Sequence, residues 1–411
     1  MRPGAGIDIA SVARVGALLE RRPETLERVY TDAERRDCEG HPQRWASRWA
    51  AKEAVRKLCG GAGMPLPAFR DIEVVIGAGG APSLRIHGTA ADLSLSLSHE
   101  GDVAVAVVTG ALAPATFAEV PPDLRLADRP EDAHKGTFGT VVVVGGAVGY
   151  SGAPLMSATA AARGGAGRVR LCVPEPIYAA VAAQTLEVMT HPLPAADGGL
   201  APVAVTTLRV QHLAGASAIV LGPGVGRAPG TERAVIDLLG DLPAATVVDA
   251  DGLNIAAAHG VDWRRCTQPV VLTPHPAEMG RLCAVPTAEV QAARQELAAG
   301  FARERGVVMV LKGAGTVVAA PDGRIHVSEL RVVALASAGS GDVLSGLIAA
   351  MIAQGLDPFD AAVAAVFIHA EAALALQARV GRAGVLARDL LDELPAAQER
   401  TRRVLERRRP G

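Results

Sequence analysis

The sequence predicts an N-terminal α+β domain followed by a larger α/β domain with a mostly parallel central sheet. Three observations carry this. The chain has 411 residues, beyond the size at which a single hydrophobic core keeps growing. In its first part the segment "LSLSLSHEGDVAVAVV" alternates apolar and polar residues with period two, as a half-buried antiparallel hairpin does. From about residue 133 the pattern changes to continuous apolar runs that lead into glycine-rich loops and helices: TVVVVGG, RVRLCVPE, AIVLGPGVG, ATVVDADGLN, PVVLTPHPAE and VVMVLKGAG. Strands that are apolar on both faces belong in a parallel sheet wrapped by helices on both sides.

Taken in order, the first domain (residues 1–110) has a short strand GIDIASV, helical stretches ALLERR and RWASRWAAKEAVRKL, a strand SLRI and the serine-leucine hairpin. Residues 111–132, "ALAPATFAEVPPDLRLADRPED", shift to Pro, Ala and charge and read as a linker. The second domain, residues 133–411, contains the six apolar strands and ends in "ERTRRVLERRRPG", a solvated, fraying helix end. Ligands of such sheets bind at the carboxyl ends of the strands. At strand ends the chain places HKGTFG, GPGVG, DADGLN, TPHPAE, KGAGT and AGSGD, in that order. Neither G-x-x-x-x-G-K-[ST] nor a clean G-x-G-x-x-G occurs.

Composition narrows the function. A net charge of −2 and 3% aromatic residues lack the basic face and stacking rings of a nucleic-acid binder. The five cysteines show neither a CxxC pair nor zinc spacing, so they read as reduced core residues of a cytoplasmic protein. The apolar stretch 361–378 is interrupted by His369 and Glu371, and no export signal or membrane span is expected. Nearly all basic residues are arginine. The four lysines (Lys52, Lys57, Lys135, Lys312) therefore mark places where a compact ammonium is needed.

The most telling segment is "ASAGSGDVLSGL", residues 336–347. Glycines before a helix form an anion site, because unpaired backbone N–H groups and the helix dipole point outward there. Asp342 follows directly. Either its carboxylate caps the helix, or it faces a hydroxyl about to be phosphorylated and takes its proton while the amides of Gly339, Ser340 and Gly341 hold the transferring group.

The six ordered loops of the second domain resemble the ribokinase-like family of NAD(P)H-hydrate dehydratases. The resemblance implies repair of NADH or NADPH that has gained water across the nicotinamide ring, at the expense of ADP or ATP. By that resemblance Lys312, Gly313, Ala314, Gly315, Thr316 and Gly341 would hold the adenine nucleotide. Ala153, Gly224, His275 and Asp342 would line the hydrated nicotinamide, with Asp342 as the base. Where the family carries Asn-Pro-Gly before its alanine-glycine run, this chain reads Val332, Val333 and Ala334.

"GIDIASVARV", "WAAKEAVRKL" and the hairpin resemble holo-acyl-carrier-protein synthase, the small 4'-phosphopantetheinyl transferase, over residues 4–108. The implied reaction moves phosphopantetheine from coenzyme A to a serine of an apo acyl carrier protein. A diphosphate under attack calls for Mg2+, which takes one or two carboxylates. The resemblance assigns these to Asp8 and Glu53, with His99 and Lys57 near the coenzyme A phosphates, in a homo-oligomer. Glu53 and Lys57, four apart, also fit an ordinary helix ion pair. The competing reading of the whole chain is a thiazole- or pyrimidine-type vitamin-precursor kinase carrying a non-catalytic oligomerisation or docking module.

Overall fold

The structure is a computed structural model that describes residues 4–61, 66–77, 79–86, 88–91, 93–110 and 118–408. The chain forms two compact units, Met1–Ala115 and Thr116–Gly411.

In the first unit the strand Gly4–Ser11 pairs antiparallel with Val103–Gly110, which pairs antiparallel with Ser94–Glu100. The serine-leucine alternation does what its period demands: Leu95 is buried while Ser94, Ser96 and Ser98 face solvent. The helix Pro42–Gly61 covers the inner face with a stripe of fully buried alanines, Ala46, Ala50, Ala51 and Ala54, small enough for helix and sheet to approach closely. A second antiparallel sheet, Ile72–Ile76, Pro82–Ile86 and Thr89–Ala90, completes the unit.

The second unit is built on one nine-stranded sheet. Across it the order is Ile325–Val327, Val317–Ala319, Val308–Leu311, Val270–Leu272, Ala245–Val248, Ala218–Leu221, Thr140–Val144, Arg168–Pro174 and Met189–Leu193. All pairings are parallel except the two at the first-named edge. The valine runs are buried on both faces as expected: Val141 and Val143 join one core, Val142 and Val144 the other. The helices Gly152–Arg163, Ser340–Ala353 and Pro358–Val380 supply the first core. The helix Pro358–Val380 is long and apolar enough to span a membrane, but it is enclosed in this core and carries buried His369 and Glu371.

The first strand of the sheet, Thr140–Val144, lies between Arg168–Pro174 on one side and Ala218–Leu221 on the other. Chain direction across the sheet reverses there, which opens a crevice at the carboxyl ends. The loops after Val144 and Leu221 meet in it, with the Gly146 N–H donating to Pro223 O at 2.9 Å.

Residues 118–132 differ from the linker that their composition predicts. Val120 and Leu124 are buried in the core of the second unit, and the Ala118 N–H donates to the Glu371 carboxylate at 3.1 Å. The Arg129 guanidinium stacks 3.9 Å from the Phe138 ring centroid. Proline and charge here serve an irregular strap that still carries enough apolar residues to dock. Residues 111–117 of the expected linker lie outside the described residues.

Candidate active site

Five of the strand-end loops converge around Lys312. Its backbone N–H donates to Pro274 O at 2.9 Å, joining the KGAGT loop to TPHPAE. Its Nζ lies 2.7 Å from Asp249 Oδ1 in DADGLN. A Cβ placed on Gly341 would sit 3.1 Å from the same Nζ, so the ammonium lies against the GSGD loop. The fifth loop is tied in by the Gly226 N–H, which donates to Asp251 Oδ2 at 3.1 Å. Ala250, between the two aspartates, has φ 50° and ψ −122°, a region that favours glycine and costs a non-glycine residue of order 1–3 kcal/mol. Held this way, the turn presents Asp249 to Lys312 and Asp251 to Gly226.

Lys312 serves three carboxylates. Burial alone would pull its pKa down, but Asp249 and Glu278, with a smaller contribution from Asp342, hold it above the ordinary lysine value. The carboxylates respond unequally. Asp342 is pushed up to about 7 by burial and by the Asp249 charge, against the opposing pull of Lys312. Glu278 is likewise pushed up to about 7 by burial, only partly offset by Lys312. One ammonium among three carboxylates therefore leaves protons to be shared near neutrality.

Asp342 stands in the first turn of the helix Ser340–Ala353, whose N-cap is Gly339 at φ 89°. The N-cap glycine has no side chain to cap the helix, and the Asp342 carbonyl accepts from Ser157 Oγ at 2.8 Å and from Ser345 Oγ at 2.9 Å. His275 is itself a cap. Its Nδ1 accepts from the N–H groups of Ala277 and Glu278 at 3.1 and 3.3 Å, so the ring proton of the neutral form sits on Nε2, 3.4 Å from Glu278 Oε1. Burial and the neighbouring Lys312 lower the His275 pKa, which favours that neutral form.

The other expected substrate residues also meet: a Cβ on Gly224 would lie 3.2 Å from Ala153 Cβ. Asn254 Oδ1 accepts from Arg281 at 2.9 Å and ties two helices together. Of the stretch Val332–Ala334, Val332 is extended and the other two open the 3-10 turn Val333–Leu335, with Val333 exposed and no polar side chain added. Sequence reasoning missed Asp249, Asp251 and Glu278. Their signal was present: aspartates directly after an apolar strand, and a glutamate three residues beyond a capping histidine.

In the first unit Asp8 and Lys57 form an ion pair at 2.7 Å, and Lys57 Nζ also donates to Ile7 O at 3.1 Å. The Lys57 pKa is raised by its hydrogen bond to Asp8 first and by the charge of Glu53, four residues earlier on the same helix, as well. Of the pairings open to Lys57, the ion pair formed is the cross-element one with Asp8 and not the helix pair with Glu53 that spacing also allowed. His99 pairs with Ala104 across the sheet, on the same face as Ala10 and Asp8. Among the described residues no group of three or more His, Cys, Asp or Glu is placed to hold a metal. A pair of carboxylates is what Mg2+ takes from a protein when phosphates and water complete its shell.

A family model described as NAD(P)H-hydrate dehydratase matches residues 141–396, and a model of the 4'-phosphopantetheinyl transferase superfamily matches residues 4–108. The ADP-dependent (S)-NAD(P)H-hydrate dehydratase of Neisseria meningitidis is 40% identical over 275 residues, covering 66% of this chain and 87% of that protein. The bifunctional NAD(P)H-hydrate repair enzyme of Moorella thermoacetica is 40% identical over 274 residues, covering 66% of this chain and 51% of that enzyme. The chain thus spans about half the length of the bifunctional relatives it matches. Among solved structures, an ADP/ATP-dependent NAD(P)H-hydrate dehydratase from Bacillus subtilis, co-crystallised with ATP and Mg2+, has a TM-score of 0.60 and 30% identity, covering 67% of this chain and 94% of that one.

Proposed function

The chain belongs to the NAD(P)H-hydrate dehydratase family, and on that premise we propose that its second unit dehydrates hydrated NADH or NADPH at the expense of ADP or ATP. The observation that carries the reading is Asp342, a carboxylate in the first turn of a glycine-rich helix start, pushed up to about 7 by burial and by Asp249 and within the field of Lys312. A base tuned to the working pH is efficient in proton transfer. Asp342 takes the proton of the ring hydroxyl as its oxygen attacks the terminal phosphoryl group of the nucleotide. The amides from Gly339 to Gly341 and the KGAGT loop hold that group, and Lys312 offsets the charge that develops on it. Phosphate then departs with the former hydroxyl oxygen while the neighbouring ring carbon gives up a proton, which restores the dihydronicotinamide double bond. Ala153, Gly224 and His275 line the nicotinamide side. The test is incubation with hydrated NADH plus ADP or ATP while following NADH absorbance. Turnover of thiazole or pyrimidine alcohols with ATP, and none of hydrated NADH, would favour the vitamin-kinase reading instead.

For the first unit we infer transfer of phosphopantetheine from coenzyme A to an apo acyl carrier protein. Asp8 and Glu53 would hold Mg2+, which supplies charge neutralisation at the diphosphate, and Lys57 and His99 would face the phosphates. The pair of carboxylates around Lys57 supports this, because they already gather about a cation. Exposed Ile7 and Ile9 on the outer sheet face support a homo-oligomer, since apolar side chains in a row ordinarily find a cover. Asp8→Asn should abolish Mg2+-dependent labelling of an apo carrier protein and leave dehydration unchanged. Undiminished labelling would remove Asp8 from the metal site. We infer a cytoplasmic location from the cysteine pattern of the sequence, five scattered residues with neither a CxxC pair nor zinc spacing.

A further inference from the structure

We propose that Arg294, outside every motif of the site, is the positioning residue that sets the nucleotide loop Lys312–Thr316; the proposal rests on the nucleotide reading of that loop. One guanidinium nitrogen, Nη2, donates to three of its carbonyls or their immediate neighbour: Leu311 O at 2.9 Å, Lys312 O at 3.2 Å and Gly315 O at 3.2 Å. Gathering the carbonyls on one side turns the intervening amides to the other. Accordingly the N–H groups of Gly313, Ala314 and Gly315 donate no hydrogen bond among the described residues. Successive outward N–H groups make an anion-binding concavity, and the arginine charge behind them deepens it.

The placement of Arg294 is costly to the fold, which argues that it is not incidental. It is the first residue of the helix Arg294–Arg305, where a cation opposes the helix dipole, and the preceding N-cap Ala293 supplies no capping side chain. Chain direction breaks at Ala293, between the helix Thr287–Ala292 and its successor, so that Arg294 leaves the helix end toward the loop. Its Nε is buried without a hydrogen-bond partner, so the fork is spent on the loop carbonyls and on Gln291, to which Nη1 donates at 3.1 Å. The loop conforms to it in turn. A Cβ on Gly313 would meet Nη1 at 3.1 Å, so this loop residue is small where the guanidinium lies. Lysine cannot copy the arrangement, because Nη1 anchored on Gln291 holds the planar guanidinium with Nη2 against the three carbonyls, and a single ammonium on a flexible stem has no second nitrogen to anchor.

The experiment measures binding of ADP and of ATP by calorimetry to the full-length parent, Arg294→Lys and Arg294→Ala, together with kcat, the KM for each substrate and thermal midpoints. Expected is a roughly ten- to hundred-fold rise in nucleotide Kd and KM in both variants, with the KM for hydrated NADH nearly unchanged, because only the loop's preorganisation is lost. If the parent binds nucleotide and Arg294→Lys binds it equally well, the positioning role is overturned while the nucleotide reading stands. If the parent binds neither ADP nor ATP, that reading fails and the proposal with it. Equal losses in both KM values and kcat, accompanied by a collapsed thermal transition in both variants, would reduce Arg294 to a structural brace and overturn the proposal as well.

Discussion

Asp342 shows how one carboxylate's surroundings bring a helix-start residue to the pKa that the proposed base needs near neutrality. Its pKa is raised from 3.8 to about 7 by burial and by Asp249, with Glu278 adding to the push. Asp342→Asn should bind ADP about as well as the parent, with turnover lower by roughly 10² to 10⁴, the usual contribution of a positioned base. For the parent, kcat/KM should rise with pH through an apparent pKa near 7, and Glu278→Gln should move that limb to lower pH by removing a neighbouring negative charge. The sign for stability is opposite to the common carboxylate case. A raised folded pKa means the native state holds the proton more tightly, so this stabilisation is complete below the ordinary carboxylate pKa and is lost as pH rises through about 7. Thermal melts should therefore show Asp342→Asn gaining on the parent between pH 5 and pH 8. In the first unit Lys52 bears out the idea that lysines mark compact sites. Its fully buried ammonium meets Glu34 at 2.8 Å and donates to the Phe69 and Ile72 carbonyls. Lys52→Ala would strand Glu34 in the core and should cost about 3–5 kcal/mol in urea unfolding of that unit.

At the level of elements, a tight constraint next to the site is the crossing of the helices Gly152–Arg163 and Ser340–Ala353. A Cβ on Gly346 would lie 2.0 Å from the Ser157 carbonyl oxygen, and Ser157 Oγ in turn bonds the Asp342 carbonyl. Gly346→Ala must therefore push the helices apart and drag the Asp342 turn with them. A stability loss of about 1–3 kcal/mol is expected, as for overpacked cores, together with reduced turnover. Retained turnover at reduced stability would uncouple this crossing from the site. The second glycine of "SGDVLSGL" was legible in the sequence as a residue type but not as a contact, since its partner lies 189 positions away in a different helix. The same limit explains the sequence reading elsewhere. Strand runs, the hairpin and the loops at strand ends follow from local periodicity, and they were found. Asp249, Glu278 and Arg294 act through ion pairs and carbonyls supplied by other loops, and no local pattern announces such partners. Lys57 is the converse case: its helix neighbour Glu53 was visible from spacing, whereas Asp8, on a strand, captured it.

For the whole molecule, two changes of sequence grammar located two units, because an antiparallel hairpin and doubly covered strands write different patterns. The connection between them was misjudged for a physical reason: composition reports solvation on average, whereas docking needs only a few apolar side chains at the right places. Val120 and Leu124 are 1% and 4% exposed, the Ala127 carbonyl accepts from Arg402 at 2.7 Å, and the Ala118 N–H meets buried Glu371. Residues 118–132 therefore belong energetically to the second unit. Two truncations separate the views. A chain beginning at Ala118 should fold cooperatively and keep dehydratase activity. One beginning at Ala133 should lose about 1.5–3 kcal/mol for each of the two buried side chains and also leave a Glu371 oxygen without its amide donor. Its urea midpoint should fall markedly, and most of the loss should appear with Val120→Ala and Leu124→Ala combined in the longer chain. Equal midpoints for the two truncations would return this strap to the status of a linker and make its burial energetically idle.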